Sequence, residues 1–223
     1  IGVHDPAAHT IIFDFGYTLA DSSTPVIACV NYALHKLGLP EAEPQAVRRL
    51  IGYDLYHTFD VLAGENGDGK GDDFLSLFQE YGELVMVDGT VILEHASAAL
   101  EDLSSHSKLG ILSSKGSIHI EQILRREDLL NCFRAIVGGR NVTKFKPHPK
   151  GLLKVLDAIG VAPERSLYVG DSLVDAEAAQ RAWMDFVAVL SGVTEAREFD
   201  GYESLAIIQN VAGLSSLFGA KGA

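Results

Sequence analysis

From residue 91 onward the chain alternates short apolar runs with amphipathic stretches, and this pattern constrains the fold more than any other feature. "HASAALEDLSS" leads to "KLGILSS", "GSIHIEQILRR" to "RAIVGG", "PKGLLKVLDAIG" to "SLYVGDS" and "VDAEAAQRAW" to "FVAVLSG". A further strand is expected at "SLAIIQ" and a closing helix at "VAGLSSLFG". Strands separated by helices of this length cannot be paired as hairpins. They form βαβ units, hence a parallel sheet with helices on both faces. Ile11, Ile12 and Phe13 supply one more buried strand near the N-terminus. The expected fold class is α/β, with a Rossmann-like parallel core.

Residues 24 to 86 break this rhythm. "TPVIACVNYALHKLGL", "AVRRLIGYDLYHTFDVL" and "DFLSLFQEYGELVM" carry apolar residues at helical spacing, and no strand signal interrupts them. The expectation is a helical cap, residues 21–87, inserted after the first strand into a core made of 1–20 and 88–223. "AGENGDGKGDD" invites comparison with a calcium loop, but counting from Asn66 puts Lys70 on a ligand position and Leu77 where a bidentate Glu belongs. It reads as a flexible connection.

Charge and composition narrow the function. The 223 residues include 18 Lys and Arg against 30 Asp and Glu, a formal charge of −12 with no basic cluster, which disfavours nucleic acid and anionic membranes as partners. No apolar run approaches the ~18 residues of a membrane span. Cys29 and Cys132 show no paired spacing and read as small buried hydrophobes. With no secretory or lipidation signal, a reducing cytoplasm is the expected location. The chain opens at Ile1 without methionine, so an N-terminus extending further is expected.

Four polar clusters fall where strands are expected to end: Asp14 to Thr18, Ser113 with Ser114 and Lys115, Lys146 in "KFKPHP", and "GDSLVD" from Gly170 to Asp175. Each alone has a plain structural reading, as a turn former, a strand-end polar residue or a helix cap. Together they matter, because strand ends of one parallel sheet converge on one crevice. In one crevice these groups fit phosphoryl transfer to an aspartate. Asp14 is the candidate nucleophile. Mg²⁺ is needed to bring two anions together, with Asp14, Asp171 and Asp175 as oxygen ligands. Lys146 and Ser113 suit the equatorial oxygens of the transferring group. The spacing of Asp171 and Asp175 allows both to face the crevice from a helix start.

On these residues the chain resembles the haloacid dehalogenase superfamily, in its phosphoglycolate phosphatase-like branch with a small helical cap. The resemblance spans essentially the whole chain, through "NYALHKLGL", "IGYDL", "GILSSK", "KFKPHPKGLL", "YVGDSLVDAEAA" and "VAVLSG". The family pattern opens with an aspartate, a variable residue, a second aspartate, glycine, threonine and leucine; Asp14, Thr18, Leu19, Asp21 and Ser22 match it. The resemblance implies Asp14 as nucleophile, Ser113 and Lys146 as phosphate holders, and Thr18 in the same catalytic group. Asp171 and Asp175 are implied as metal-site acids, and residue 16 as a Mg²⁺ ligand through its main-chain carbonyl. It implies a small phosphorylated substrate, with Ser114, Tyr17, Tyr53 and His57 as candidate substrate contacts.

Gly16 departs from the pattern, since the family's second aspartate protonates the leaving group and later deprotonates water. Such acid–base work contributes about 10²- to 10⁴-fold, or roughly 3 to 5 kcal/mol of barrier. Its loss is expected to slow the enzyme, most on alkyl phosphates. Tyr17 stands where the family has glycine and offers a phenol, but a pKa near 10 makes it a poor base. His57 is the first candidate for a substitute acid, because imidazole titrates near neutrality. Three alternatives remain: a non-catalytic regulator that binds phosphorylated metabolites, a phosphonate-cleaving relative needing a cap lysine such as Lys36 or Lys70, and a receiver-type signalling domain. The last keeps its metal acids upstream of the phosphorylated residue, whereas Asp171 and Asp175 lie downstream. Substrate identity and oligomeric state are left open.

Overall fold

The computed structural model describes residues 10–219. Its main sheet has six parallel strands in the order β5-β4-β1-β6-β7-β8, built from β1 (Thr10–Phe13), β4 (Lys108–Leu112), β5 (Phe133–Val137), β6 (Ser166–Gly170), β7 (Asp185–Val189) and β8 (Ala206–Ile208). The chain order reverses at β1, between β4 and β6, which is where an open α/β sheet forms its crevice. The apolar runs are continuous because both faces are covered. Along β1, Ile11 and Phe13 enter one core and Ile12 the other.

The helices between these strands divide accordingly. α5 (Ala96–Ser104), α6 (Ser117–Arg126) and α9 (Gly213–Gly219) pack on the first face through Leu100, Ile120 and Leu214; α7 (Lys150–Ile159) and α8 (Leu173–Arg181) cover the second through Leu152 and Ala178. All helix and strand assignments expected after residue 91 are present, within a few residues at their ends.

Between β1 and β4 the chain makes α1 (Ser23–Lys36), α2 (Pro44–Arg48), α3 (Leu55–Ala63) and α4 (Gly71–Val85), which share a core of their own around Cys29, Leu34, Phe59 and Phe74. Two details differ from the sequence reading. The stretch expected as one helix across 46–62 is two, because Gly52 takes φ 112 and Asp54 starts a new helix by accepting from the amides of Tyr56 and His57 at 3.1 Å each. The glycine-rich connection is a 3₁₀ turn at Gly64–Gly67 whose Gly67 is buried, and α4 already begins at Gly71.

Sequence reading also missed a two-stranded antiparallel ribbon, β2 (Ala20–Asp21) with β3 (Val91–Ile92), where the chain leaves the sheet and returns to it. Among the described residues no helix is long and apolar enough to cross a membrane.

Candidate active site

Asp14 follows β1 as Asp171 follows β6, so strand pairing sets their backbones side by side; Asp14 N donates to Val169 O at 2.8 Å. Asp175 joins them from the first turn of α8, and oxygens of the three carboxylates all lie within 4.8 Å of one another. All three are buried. Lys146 comes from further away than expected: it does not sit at the end of β5 but on the loop that follows, and reaches back into the cluster.

Lys146 Nζ donates to Asp175 Oδ1 at 2.6 Å and lies 2.9 Å from Asp14 Oδ1. The latter is an ion pair, and apart from it Asp14 Oδ1 has no hydrogen-bond partner. Asp175, by contrast, is fully engaged. Its Oδ1 also accepts from Tyr168 Oη at 2.7 Å, and its Oδ2 accepts from the amide and hydroxyl of Ser172 at 3.2 and 2.5 Å. Thr18 Oγ1 donates to Asp171 Oδ1 at 3.2 Å. Gly192 closes the far side of Asp171, where a Cβ would stand 2.1 Å from Oδ2.

Three buried carboxylates beside one ammonium leave negative charge in excess, and the electrostatics record it. Burial pushes the Asp14 carboxyl up to about 6, with Lys146 opposing and Asp175 adding repulsion. Asp171 is raised well above the usual carboxylate range by burial and then by the charges of Asp175 and Asp14. For Lys146, burial favours the neutral amine, but Asp14 and Asp175 outweigh it and hold the lysine protonated beyond its ordinary range. A divalent cation suits such a site: it would relieve the repulsion, and Asp14 Oδ1 has a lone pair to give. Asp175 has fewer to offer, because its oxygens already accept four protein donors.

Through Asp14 the cluster borders a cavity of about 310 Å³ that runs up into the helices. Asp14, Gly16, Ser113 and Ser114 form its floor, while Val47, Leu50, Ile51, Leu75, Phe78 and Met86 make most of the opposite wall apolar. Ser114 Oγ donates to Gly52 O at 2.7 Å and ties floor to wall. Lys115, His119 and Arg140 complete one side, and Glu83 pairs with His119 at 3.3 Å and Arg140 at 3.5 Å.

Of the four expected substrate contacts, Ser114 and Tyr53 line this cavity and Tyr17 and His57 do not. His57 is exposed and stacks on the outer face of Tyr53 at 4.7 Å, because the Asp54 cap fixes the register of α3 and turns it outward. It is therefore misplaced for a substitute acid. Tyr17 is buried with φ 56; its amide donates to Ala20 O, its carbonyl accepts from Ser191, and its hydroxyl accepts from Arg48 at 3.3 Å. A left-handed residue here accounts for the glycine of the family pattern. Lys36 lies over the Tyr32 ring and Lys70 donates to Asn66 O; neither lines the cavity, which removes the lysine that phosphonate cleavage requires.

The sequence gives no signal for the role of Tyr168, nor for Lys115 Nζ lying against Met86 Sδ at 2.8 Å rather than against a carboxylate. Tyr168 reads as a strand residue in "SLYVGDS", and only its burial against Asp175 reveals more.

Fold and site together define a hydrolase built around a strand-end aspartate. Residues 11–189 match the family model described as haloacid dehalogenase-like hydrolase, and the chain belongs to that family. Among its curated relatives are proteins named phosphoglycolate phosphatase. That of Shigella boydii is 28% identical over 94% of this chain and 92% of its own length, and that of Pseudomonas putida 30% identical over 92% and 77%. Among solved structures, a haloacid dehalogenase-like hydrolase from Bacteroides fragilis superposes with a TM-score of 0.88 at 33% identity, covering 93% of this chain and 99% of that one. A Streptococcus pneumoniae family member, 21% identical, shares the fold at TM-score 0.85 over 95% and 99%.

Proposed function

We propose that this protein is a Mg²⁺-dependent phosphatase of small phosphorylated molecules that works through an aspartyl-phosphate on Asp14. The observation that carries this reading is the buried group of Asp14, Lys146, Asp171 and Asp175, of which Asp14 also lines the cavity beside Gly16 and Ser113. Asp14 Oδ1, free of hydrogen bonds, attacks phosphorus. Lys146 and the Ser113 hydroxyl hold the equatorial oxygens of the phosphoryl group. Asp14, Asp171 and the Gly16 carbonyl would hold Mg²⁺, which when bound supplies the positive charge that lets a dianionic phosphate approach a carboxylate. Thr18 orients Asp171; Asp175, with Tyr168, positions Lys146.

In this reading residues 21–87 are a cap domain on a core of 1–20 and 88–223, and set substrate choice through the apolar wall. The names of the relatives and the hydrolase family favour phosphate-ester chemistry. With a charge of −12, neither nucleic acid nor membrane is expected as partner.

Gly16 favours a second reading, a regulator that holds a long-lived phosphoenzyme. A rapid-quench time course with Mg²⁺ and p-nitrophenyl phosphate, beside Asp14→Asn, separates the two. A burst equal to the enzyme followed by continued turnover is expected. A burst without turnover would favour the regulator, and phosphate release no better than Asp14→Asn would overturn the phosphatase.

A further inference from the structure

With no side chain at position 16, the reaction proposed above lacks a group to protonate the departing oxygen. Lys115 lies in the same cavity as Asp14 and Gly16, on the loop that leaves β4, two residues beyond Ser113. Its Nζ meets only a thioether, Met86 Sδ at 2.8 Å, and thioethers are weak acceptors. Among the described residues no carboxylate stands within ion-pair distance of it.

The backbone beneath it is fixed from behind. Gly139 N donates to Lys115 O at 3.0 Å, and a Cβ on Gly138 would stand 2.6 Å from the same oxygen, so the loop after β5 presses directly on it. The ionisable groups whose charge acts on the ammonium or feels it are Cys29 on α1, Asp14 after β1 and His119 on α6, while Met86 just beyond α4 touches it. Burial lowers the lysine to about 8, with Cys29 and Asp14 opposing. His119 is the rival, but the charges acting on it are Glu83, Lys115 and Arg140, not Asp14.

We propose that Lys115 carries out the proton transfers for which residue 16 has no side chain, an inference that rests on the phosphatase reading. As the bond from Asp14 to phosphorus forms and the ester P–O bond breaks, the Lys115 ammonium gives its proton to the leaving oxygen, which departs as an alcohol. The amine that remains accepts a proton from the water that attacks phosphorus. Cleavage of the P–O bond to Asp14 then releases phosphate, and Lys115 is an ammonium again. A partly buried lysine pulled down from the ordinary lysine range toward neutrality suits both directions.

The test is the rate of Asp14 phosphorylation in single turnover, with Mg²⁺, across phosphate monoesters from p-nitrophenyl to primary alkyl. Wild type, Lys115→Met, Lys115→Arg and His119→Gln are compared after circular dichroism confirms folding. Both Lys115 variants should stay within about threefold of wild type on p-nitrophenyl phosphate and lose about 100-fold on the alkyl esters. Arginine keeps the charge but does not release a proton near neutrality. Full alkyl activity in Lys115→Arg would reduce the role to charge alone. Equal losses on every ester would make it structural, and a leaving-group effect in His119→Gln alone would move the role there. If wild type phosphorylates no better than Asp14→Asn, the phosphatase reading itself falls, and this proposal with it.

Discussion

Lys146 stands 2.9 Å from Asp14 although the two come from different strands' connections, and it is the only cation within ion-pair distance of Asp14 or Asp175 among the described residues. Replacing it with methionine leaves three buried carboxylates uncompensated. Removing one partner of a buried ion pair costs about 3 to 5 kcal/mol. Lys146→Met should lower unfolding free energy by that order in urea denaturation, and should also abolish phosphatase turnover. A variant that kept wild-type stability would mean that solvent already screens the cluster.

The same excess of negative charge predicts how a divalent cation acts. Asp14, held at about 6, and Asp171, raised further, both bind a proton in the folded state at pH values where the unfolded chain has lost it. Without metal, this contribution to stability is therefore fullest in acid, below the unfolded carboxylate range. It is lost as pH rises through the folded values. Metal binding reverses the trend, because it requires the ionised carboxylates. At a fixed Mg²⁺ concentration the rise in melting temperature should be larger at pH 8 than at pH 5.5, and where that concentration is 100 times the dissociation constant the stabilisation is about 2.7 kcal/mol. Asp171→Asn should remove most of it; a shift equal at both pH values would place the metal elsewhere.

The sequence made part of this site readable for a definite reason. Asp14, Ser113 and Asp171 each directly follow an apolar run that becomes a central strand, so the strand-end rule located them. Lys146 is expected at a strand end too but follows a loop after β5, and the family resemblance through "KFKPHPKGLL" is what marks it. The outward turn of His57 depends on a one-residue matter, the start of α3 at the Asp54 cap, which helical periodicity alone does not fix. The ribbon of β2 and β3 is two residues per strand, too short for any alternation to show. That Lys115 has no counter-ion is a statement about every neighbour at once, and it emerges only when α1, α4 and the sheet are seen in contact.

Lys115 also makes a stability prediction that is independent of activity. Its folded value of about 8 lies below the unfolded lysine value of 10.5, so burial of the charge costs stability in full below about pH 8. Between about 8 and 10.5 the unfolded chain binds more protons than the folded one, and stability from this group rises with pH. Lys115→Met, which puts an apolar chain beside Met86, should therefore stabilise the protein at pH 7 by on the order of 1 kcal/mol. The gain should shrink toward pH 10. Guanidinium denaturation at the two pH values checks it, and a pH-independent difference would mean that Lys115 is solvated.

Gly16→Asp restores the carboxyl that the family pattern carries, and the site has room for it. A Cβ on Gly16 would stand 3.4 Å from Ile51 Cγ2, an ordinary contact, and the backbone is not left-handed, so the first carbon of the side chain is accepted without strain. The variant should fold, at a cost in stability without Mg²⁺ because it adds a carboxylate to a cluster already in excess of negative charge. On alkyl phosphates its turnover should rise by about tenfold, short of the roughly 10²- to 10⁴-fold that acid–base catalysis supplies from nothing, because Lys115 already does part of the work. Aryl phosphates, whose leaving groups depart as anions, should gain little in the first step. In a Lys115→Met background the gain on alkyl esters should grow toward the full range, since the two groups then no longer share one role. Steady-state kinetics on one alkyl and one aryl ester across the four proteins of this cycle measure the coupling directly. Strictly additive effects would mean that the aspartate and the lysine act on different steps.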